Sequence, residues 1–100
     1  MTGIRLEFDW DPGKAETNRR KHRVNFEEAM SILADPLALS RLDDESSEGE
    51  ERWVTLGRNG AGKLLVMVHT FVELSGERAA IRIISARAPT RREVRQYESG

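Results

Sequence analysis

The stretch Ile81-Arg-Ile-Ile-Ser-Ala-Arg-Ala-Pro-Thr-Arg-Arg-Glu93 contains the sharpest change of local structure along the chain. Its first part, Ile81 to Ala86, is rich in β-branched residues and predicts a buried strand. Pro89 ends the strand, because proline cannot donate to a strand ladder. Thr90 and Glu93 have the spacing of a capping box, which opens a helix. The sequence therefore predicts a strand that leads directly into a helix.

Four arginines lie on or beside this junction: Arg82, Arg87, Arg91 and Arg92. A helix N-terminus presents free N–H groups, and guanidinium groups bind carboxylate or phosphate through paired hydrogen bonds. The junction is therefore a candidate anion site. The anion is an RNA phosphate, an acidic partner protein or a carboxylate of the chain itself, and the stretch alone leaves all three open.

The bulk composition predicts one domain, residues 1–100, with a modest core: 38% of the residues are hydrophobic. The net charge of −1 gives no general affinity for nucleic acid, but the charges are segregated. Residues 14–23 contain five Lys or Arg and one acid, residues 43–51 contain six acids, and residues 78–100 contain six arginines and two glutamates. This segregation predicts a basic patch on a nearly neutral protein.

Several function classes are disfavoured by what the sequence lacks. There is no cysteine, hence no disulfide framework and no thiolate chemistry. No signal peptide is visible at Met1, and no apolar run approaches the roughly 18 residues that span a bilayer. We therefore expect a cytoplasmic protein.

The first third of the chain predicts a strand and two helices. Apolar residues alternate from Ile4 to Trp10, as in a half-buried strand. Asp11-Pro12 then opens a helix that runs to His22. Asn25 and Glu28 have capping-box spacing and open a second helix, which ends before Asp35-Pro36.

The remainder predicts strands and a final helix. The expected strands are Leu37–Leu42, Arg52–Arg58, Lys63–Val72 and Ala79–Ala86, with turns at 59–62 and 75–77. The order of elements predicts an α+β fold, in which an N-terminal strand and two helices pack on an antiparallel meander of three to four strands. A C-terminal helix completes it.

Several short motifs, in this order, resemble one family. They are Phe8-Asp-Trp-Asp-Pro12, Lys21-His22, Phe26-Glu-Glu-Ala29, Asp35-Pro36, Glu50-Glu-Arg-Trp53, Gly57-Arg58 and Arg82-Ile-Ile-Ser-Ala-Arg87. Together they resemble the BrnT family of toxins across nearly the whole chain, from Phe8 to Tyr97. The resemblance implies a fold like that of the RelE toxins.

The same resemblance implies a function. It implies a type II toxin that cleaves RNA without a metal or other cofactor and inhibits translation and growth. It also implies neutralisation by BrnA, a DNA-binding ribbon-helix-helix antitoxin, in a heterotetramer that contains a toxin dimer and represses its own operon. One position departs from the family: Arg23 stands where Gly is usual after Lys-His. Because a left-handed arginine costs about 1 kcal/mol, we expect the first helix to close differently, which would alter the pose of Lys21 and His22.

Metal-free RNA cleavage needs a base for the 2′-OH, cations for the phosphorane and an acid for the leaving oxygen. His22 is a candidate acid or base, since histidine titrates near neutral pH. The alternative is a structural role at a helix C-terminus, where the dipole favours a cation. His69 lies on an apolar strand, and we expect it to be a satisfied core residue rather than a catalyst.

Three arginines are candidates to stabilise the transition state. Arg58 ends a strand beside a glycine-rich turn, and a planar fork suits phosphate. Arg82 and Arg87 belong to the junction described first. The alternative for Arg58 is a solvated turn residue, and for the other two an ion pair with Glu50 or Glu51.

Glu51 is the candidate carboxylate base, although the acidic run around it is also typical of a solvated loop. Lys21, Arg91 and Arg92 are candidates for binding RNA. Trp53 is expected to be a core or interface aromatic rather than a platform for a base.

Three functions remain open at this stage. The first is an endoribonuclease toxin inhibited by an antitoxin. The second is a non-catalytic scaffold in a repressor complex, and the third is an RNA- or DNA-binding regulator without a partner.

Overall fold

Residues 3–43 and 51–100 are described by the computed structural model. The strands are β1 (Arg5–Asp9), β2 (Leu39–Leu42), β3 (Arg52–Arg58), β4 (Leu64–Thr70), β5 (Val72–Ser75) and β6 (Arg78–Arg87). The helices are α1 (Pro12–His22), α2 (Phe26–Ala29), which continues as a 3₁₀ helix (Met30–Ala34), and α3 (Arg91–Ser99). Within this part of the chain, no helix is long and apolar enough to cross a membrane.

The strands form one sheet in the order β1-β6-β4-β3-β2, and β5 pairs with β6 off this path. The predicted α+β class and the antiparallel meander β2-β3-β4-β6 are confirmed. Two details differ. The N-terminal strand does not merely pack on the meander, because β1 joins the sheet parallel to β6. The predicted strand Lys63–Val72 is interrupted at Phe71, so β4 and β5 pair with different parts of β6.

The two faces of the sheet are covered unequally. One face packs against α1, α2 and the 3₁₀ helix, and its core contains Phe26, Leu65, Met67 and Ile83. Trp10 packs edge-to-face on Phe26, with 5.9 Å between ring centroids. The opposite face carries a smaller cluster in which Tyr97 of α3 packs on Leu56 and Val66, with Val54 and Leu64 partly buried beside them. We call this second surface the open face.

The local signals at the helix ends are confirmed. Asp11 accepts a hydrogen bond from the Gly13 N–H at 2.7 Å, which caps α1. Capping boxes are present at Asn25 with Glu28 and at Thr90 with Glu93. Residues that satisfy free N–H groups locally can be identified from spacing alone.

The expectation that α1 closes differently was wrong. Arg23 adopts the left-handed conformation, with φ 60° and ψ 30°, and its N–H donates to the Arg19 carbonyl at 2.9 Å. It is the position that glycine would favour. The surrounding packing imposes it, because Val24 and Phe26 directly after the turn are 2% and 1% exposed. Lys21 and His22 therefore keep a regular helical pose.

Candidate nucleic-acid site around the C-terminal helix

Arg58 ends β3 beneath α3 and is held from three sides. Its backbone N–H donates to Asp35 Oδ2 at 2.8 Å, and its guanidinium donates to the Gly62 carbonyl at 2.9 Å. The guanidinium also lies 5.3 Å from the centroid of the Tyr97 ring, a cation–π contact. The strand can approach the 3₁₀ helix here because the preceding residue is Gly57, where a Cβ would come within 3.1 Å of the Ile32 carbonyl oxygen.

Asp35 and Tyr97 complete this arrangement. The Tyr97 hydroxyl donates to Asp35 Oδ2 at 2.6 Å, which links α3 to the end of the 3₁₀ helix. The Arg58 backbone N–H, followed by the Tyr97 hydroxyl, lowers the pKa of Asp35. The hydrogen bond to Asp35 raises the pKa of Tyr97. The site therefore keeps an ionised carboxylate, a protonated phenol and a guanidinium in fixed mutual positions.

Arg87 ends β6 on the same face and forms a bidentate ion pair with Glu93. The two hydrogen bonds measure 2.8 and 2.9 Å, and Arg87 also donates to the Ala88 carbonyl at 3.2 Å. The Arg87 guanidinium lowers the pKa of Glu93 to about 2. The predicted alternative, a pair with Glu51, is therefore wrong for Arg87, and Glu50 lies outside the described residues.

The N-terminus of α3 adds more positive charge. Arg91 and Arg92 are exposed in its first turn. Glu93, the residue after Arg92, accepts hydrogen bonds from the Arg87 guanidinium and from the Thr90 N–H. Arg58 of β3 and Arg87 of β6 thus both contact α3 at one end of the open face, through Tyr97 and Glu93.

Lys21 and His22 lie across the edge of β6 from this cluster. They line a cleft of about 510 Å³ between α1 and β6, together with Lys14, Thr17 and Ser85. Asn18, one turn earlier in α1, is hydrogen-bonded to the backbone of Ala86, the neighbour of Arg87. The predicted basic helix and the β6–α3 junction are therefore adjacent in the fold.

Glu51 and Arg82 occupy the other end of the sheet. Glu51 is exposed and precedes β3, whose first residue, Arg52, pairs with Thr70. The Arg82 N–H donates to the Thr70 hydroxyl at 3.1 Å. The Arg82 guanidinium donates to Asp9 at 3.3 Å, so the alternative of an ion pair with Glu51 is wrong for Arg82 as well. Arg82 and Arg87 are five positions apart, roughly 16 Å along a strand, so the two guanidinium groups lie far apart on the same face.

Comparison with known proteins identifies the family. Residues 10–93 match the family described as "Ribonuclease toxin, BrnT, of type II toxin-antitoxin system". The chain belongs to the BrnT family. The 1.1 Å crystal structure of the Brucella abortus ribonuclease toxin BrnT is similar, with a TM-score of 0.53 and 18% sequence identity. The match covers 91% of this chain and 100% of that chain, and confirms the BrnT fold. No curated protein matches the chain in a sequence search.

His69 has the structural environment expected from its apolar strand. It is 3% exposed in the BrnT core, and burial lowers its pKa. Its Nδ1 lies 2.9 Å from the Thr70 carbonyl oxygen, which assigns the ring proton to Nδ1. Nε2 then accepts from the Thr55 hydroxyl at 2.7 Å, and Thr55 in turn contacts Ser40 at 2.7 Å. The imidazole is a satisfied core group.

Sequence reasoning missed three residues of the site in this BrnT chain. Asp35 was assigned only to a helix end and Glu93 only to a cap, and Tyr97 was not a candidate for the site. The Asp35-Pro36 motif offered a signal, because an aspartate that ends a helix can also accept from a neighbouring strand. The pairing of Tyr97 with Asp35 had none, since 62 residues separate them.

Proposed function

We propose that this chain is the ribonuclease toxin of a type II toxin–antitoxin pair, an endoribonuclease that inhibits translation and growth. Membership of the BrnT family over residues 10–93 supports the activity. Arg58 and Arg87 lie together beside α3, and Arg82 lies further along the same face. On this observation we place the RNA site on the open face of the sheet. An extended RNA strand is expected to lie along this face, because its phosphates would meet successive guanidinium groups.

The two arginines beside α3 suit a phosphorane that gains negative charge. Three of the five N–H groups of the Arg87 side chain are engaged, two with Glu93 and one with Ala88, so two remain for a phosphate. Arg58 donates one N–H to the Gly62 carbonyl and lies over the Tyr97 ring. Both are held in place before substrate binds, so little reorganisation is required when charge develops.

Proton transfer is assigned to His22 and Glu51 as candidates. His22 is half-buried beside Lys21, on the cleft next to Ala86. Glu51 is exposed at the far end of the face, so these two groups serve different bonds of the RNA or different steps. Lys21, Arg91 and Arg92 are proposed to bind the flanking phosphates. The scissile phosphate lies at one of the two ends of the open face. Replacing His22 and Glu51 one at a time identifies which end it is.

We propose that cleavage is metal-independent. Among residues 3–43 and 51–100, no cluster of three or more His, Asp or Glu side chains has the geometry to hold a metal ion. The side chains that converge on the site are mainly cationic, which suits electrostatic stabilisation by the protein itself.

The partners proposed follow from the family. We propose a BrnA-like, DNA-binding ribbon-helix-helix antitoxin, a homodimer of this chain within a heterotetramer, and a fold related to the RelE toxins. RNA is the proposed substrate and the cytoplasm the proposed site of action. The antitoxin is expected to neutralise the toxin by direct binding.

The test is expression of this chain alone and with the product of its neighbouring gene. We expect growth arrest and RNA degradation without that product, and neither with it. Purified protein is expected to cleave RNA equally with and without EDTA. Normal growth and intact RNA would overturn the proposal, and loss of cleavage in EDTA would overturn metal independence.

A non-catalytic scaffold is the second candidate. It is favoured by the ion pairs that already neutralise Arg82 with Asp9 and Arg87 with Glu93. A scaffold would bind the antitoxin and repress the operon, while the purified protein left RNA intact. The same expression experiment therefore separates the two candidates.

A further inference from the structure

Arg58 belongs to β3, but its side chain depends on α3 for its position. The guanidinium donates to the Gly62 carbonyl at 2.9 Å and lies 5.3 Å from the centroid of the Tyr97 ring. Both Arg58 and the turn that contains Gly62 are exposed to solvent, so the hydrogen bond alone leaves the side chain considerable freedom. The aromatic ring under the guanidinium plane restricts the rotamers that remain.

Tyr97 is itself held from three directions. Its hydroxyl donates to Asp35 Oδ2 at 2.6 Å, and its ring packs on Leu56 and Val66. Glu93 lies one helical turn earlier on the same side of α3, and its ion pair anchors that turn to β6. A ring fixed in this way is a rigid support for the guanidinium that lies over it.

Asp35 links Tyr97 to the backbone of Arg58. Its Oδ2 atom accepts from the Tyr97 hydroxyl and, at 2.8 Å, from the Arg58 N–H. Its Oδ1 atom accepts from the Leu37 N–H at 2.9 Å, so three donors keep the carboxylate in one orientation. α3 therefore acts on both ends of Arg58, on the backbone through Asp35 and on the guanidinium through the ring.

We infer that Tyr97 is a positioning residue for RNA cleavage, whose ring sets the pose in which Arg58 meets the transition state. The inference rests on the proposed ribonuclease function and on the role of Arg58 in it. A donor that is ordered beforehand stabilises developing charge better than one that must first be ordered. A mobile Arg58 would still attract RNA phosphates, so the ring acts on the rate of the chemical step rather than on RNA binding.

The experiment is single-turnover cleavage of an end-labelled, mixed-sequence RNA by the full chain. Varying the protein concentration separates the maximum rate from the concentration at half-maximal rate. Tyr97→Leu removes the ring, and we expect it to lower the maximum rate about tenfold and to change the half-maximal concentration by less than about twofold. Tyr97→Phe keeps the ring and loses only the hydroxyl, so its maximum rate should fall by only about threefold.

A double-variant cycle tests whether Tyr97 acts through Arg58. In the Arg58→Ala background, Tyr97→Leu should change the maximum rate by less than about twofold, because the guanidinium that the ring supports is absent. Val54→Ala is the control for stability, since Val54 packs on the same apolar cluster and lies four positions before Arg58 in β3. It should lower the thermal midpoint and leave the maximum rate unchanged.

The NMR shift of the Arg58 side-chain protons is a readout that does not depend on cleavage. An aromatic ring facing the guanidinium at 5.3 Å moves these protons upfield. Tyr97→Phe should keep the upfield shift, and Tyr97→Leu should abolish it. If Tyr97→Leu fails to fold, Tyr97→Phe takes its place in the double-variant cycle.

Several results would overturn the inference while the proposed function stands. They are a wild-type maximum rate in Tyr97→Leu, a further tenfold loss when that change is added to Arg58→Ala, an equal loss in Val54→Ala, and no upfield shift in wild type. Wild-type cleavage by Arg58→Ala would also overturn it, because the ring would then support a residue without a role. If the wild-type chain leaves RNA intact, the inference and the proposed function both fail.

Discussion

Asn18 is hydrogen-bonded to both backbone groups of Ala86. Its amide nitrogen donates to the Ala86 carbonyl at 2.8 Å, and its amide oxygen accepts from the Ala86 N–H at 3.1 Å. The same nitrogen donates to the Val24 carbonyl at 3.0 Å. Since β1 pairs with β6 only as far as Arg82, one side chain takes the place of a neighbouring strand at the end of β6. The arrangement fixes α1, and with it Lys21 and His22, beside Arg87.

Replacing Asn18 by Ala should leave three buried backbone groups without partners. We expect the free energy of unfolding to fall by about 3 kcal/mol or more, since each unsatisfied group costs about 1–3 kcal/mol. Urea denaturation measures the change. Thr17→Ala, at the exposed neighbour, is the control and should change stability by less than about 0.5 kcal/mol. Equal effects for the two variants would show that the amide contacts contribute nothing specific.

Replacing Arg23 by Gly should stabilise the protein. The left-handed backbone at φ 60° strains any residue with a Cβ, and its relief is worth up to about 1 kcal/mol. Arg23→Ala is the matched control, because alanine removes the charged chain and keeps the Cβ. We expect a higher thermal midpoint for the glycine variant only. A similar gain for alanine would point to charge rather than backbone strain.

Tyr97 is the only tyrosine in the chain, so its ionisation can be followed by ultraviolet absorbance. Because its hydroxyl donates to the Asp35 carboxylate, we expect it to titrate above pH 10 in the folded protein. Asp35→Asn removes the negative charge and should return the midpoint towards 10. An unchanged midpoint in that variant would show that the 2.6 Å contact is not formed in solution.

His69 should make stability depend on pH. Burial lowers its pKa below 6.5, so below that pH the unfolded chain binds a proton that the folded protein does not. This contribution to stability is complete above pH 6.5 and is lost as the pH falls through the folded pKa. NMR of the His69 ring protons should show a midpoint clearly below 6.5. If His69 titrates at 6.5, the buried, hydrogen-bonded imidazole is not present in solution.

Arg58 and Arg87 test the proposed cleavage site. Replacing either by Ala should lower the rate of RNA cleavage by about 100-fold or more, because a preorganised donor to the developing charge is lost. Toxicity should fall with it while antitoxin binding is kept. Arg5→Ala, at an exposed arginine of β1, should have no effect on the rate. If antitoxin binding disappears together with toxicity, these arginines belong to the interface or to the fold.

Glu93 distinguishes a structural from a functional role of Arg87. Glu93→Gln removes the charge that neutralises Arg87, and should therefore tighten binding of an uncleavable RNA. The same variant should be less stable at neutral pH, because it loses the ion pair with Arg87. In the folded wild type the pKa of Glu93 is lowered from 4.5 to about 2, so the ionised carboxylate stabilises the fold above pH 4.5. That stabilisation is lost as the pH falls through 2. Weaker RNA binding would show that the intact ion pair is what the RNA requires.

Local features were predictable from the sequence, and long-range ones were not. The caps at Asp11, Asn25 and Thr90 depend on residues within three positions, and all three formed. The break at Phe71 was missed, because the apolar run continues through Val72 and gives no signal. It exists because β6 is ten residues long and pairs with β4 and β5 in turn, with a bulge at Ile84.

The sequence by itself determined the order of elements, the helix ends and, through the motifs spread from Phe8 to Tyr97, the family. The tertiary structure alone decided which charged groups meet. Arg58 and Arg87 are neighbours of α3 because β4 lies between β3 and β6 in register, and Arg82 is held roughly 16 Å away by that same register. Asp35 reaches Tyr97 because the 3₁₀ helix crosses β3 at Gly57. Such contacts depend on the pairing of strands that are many tens of residues apart in the sequence. Local spacing in the chain does not encode them.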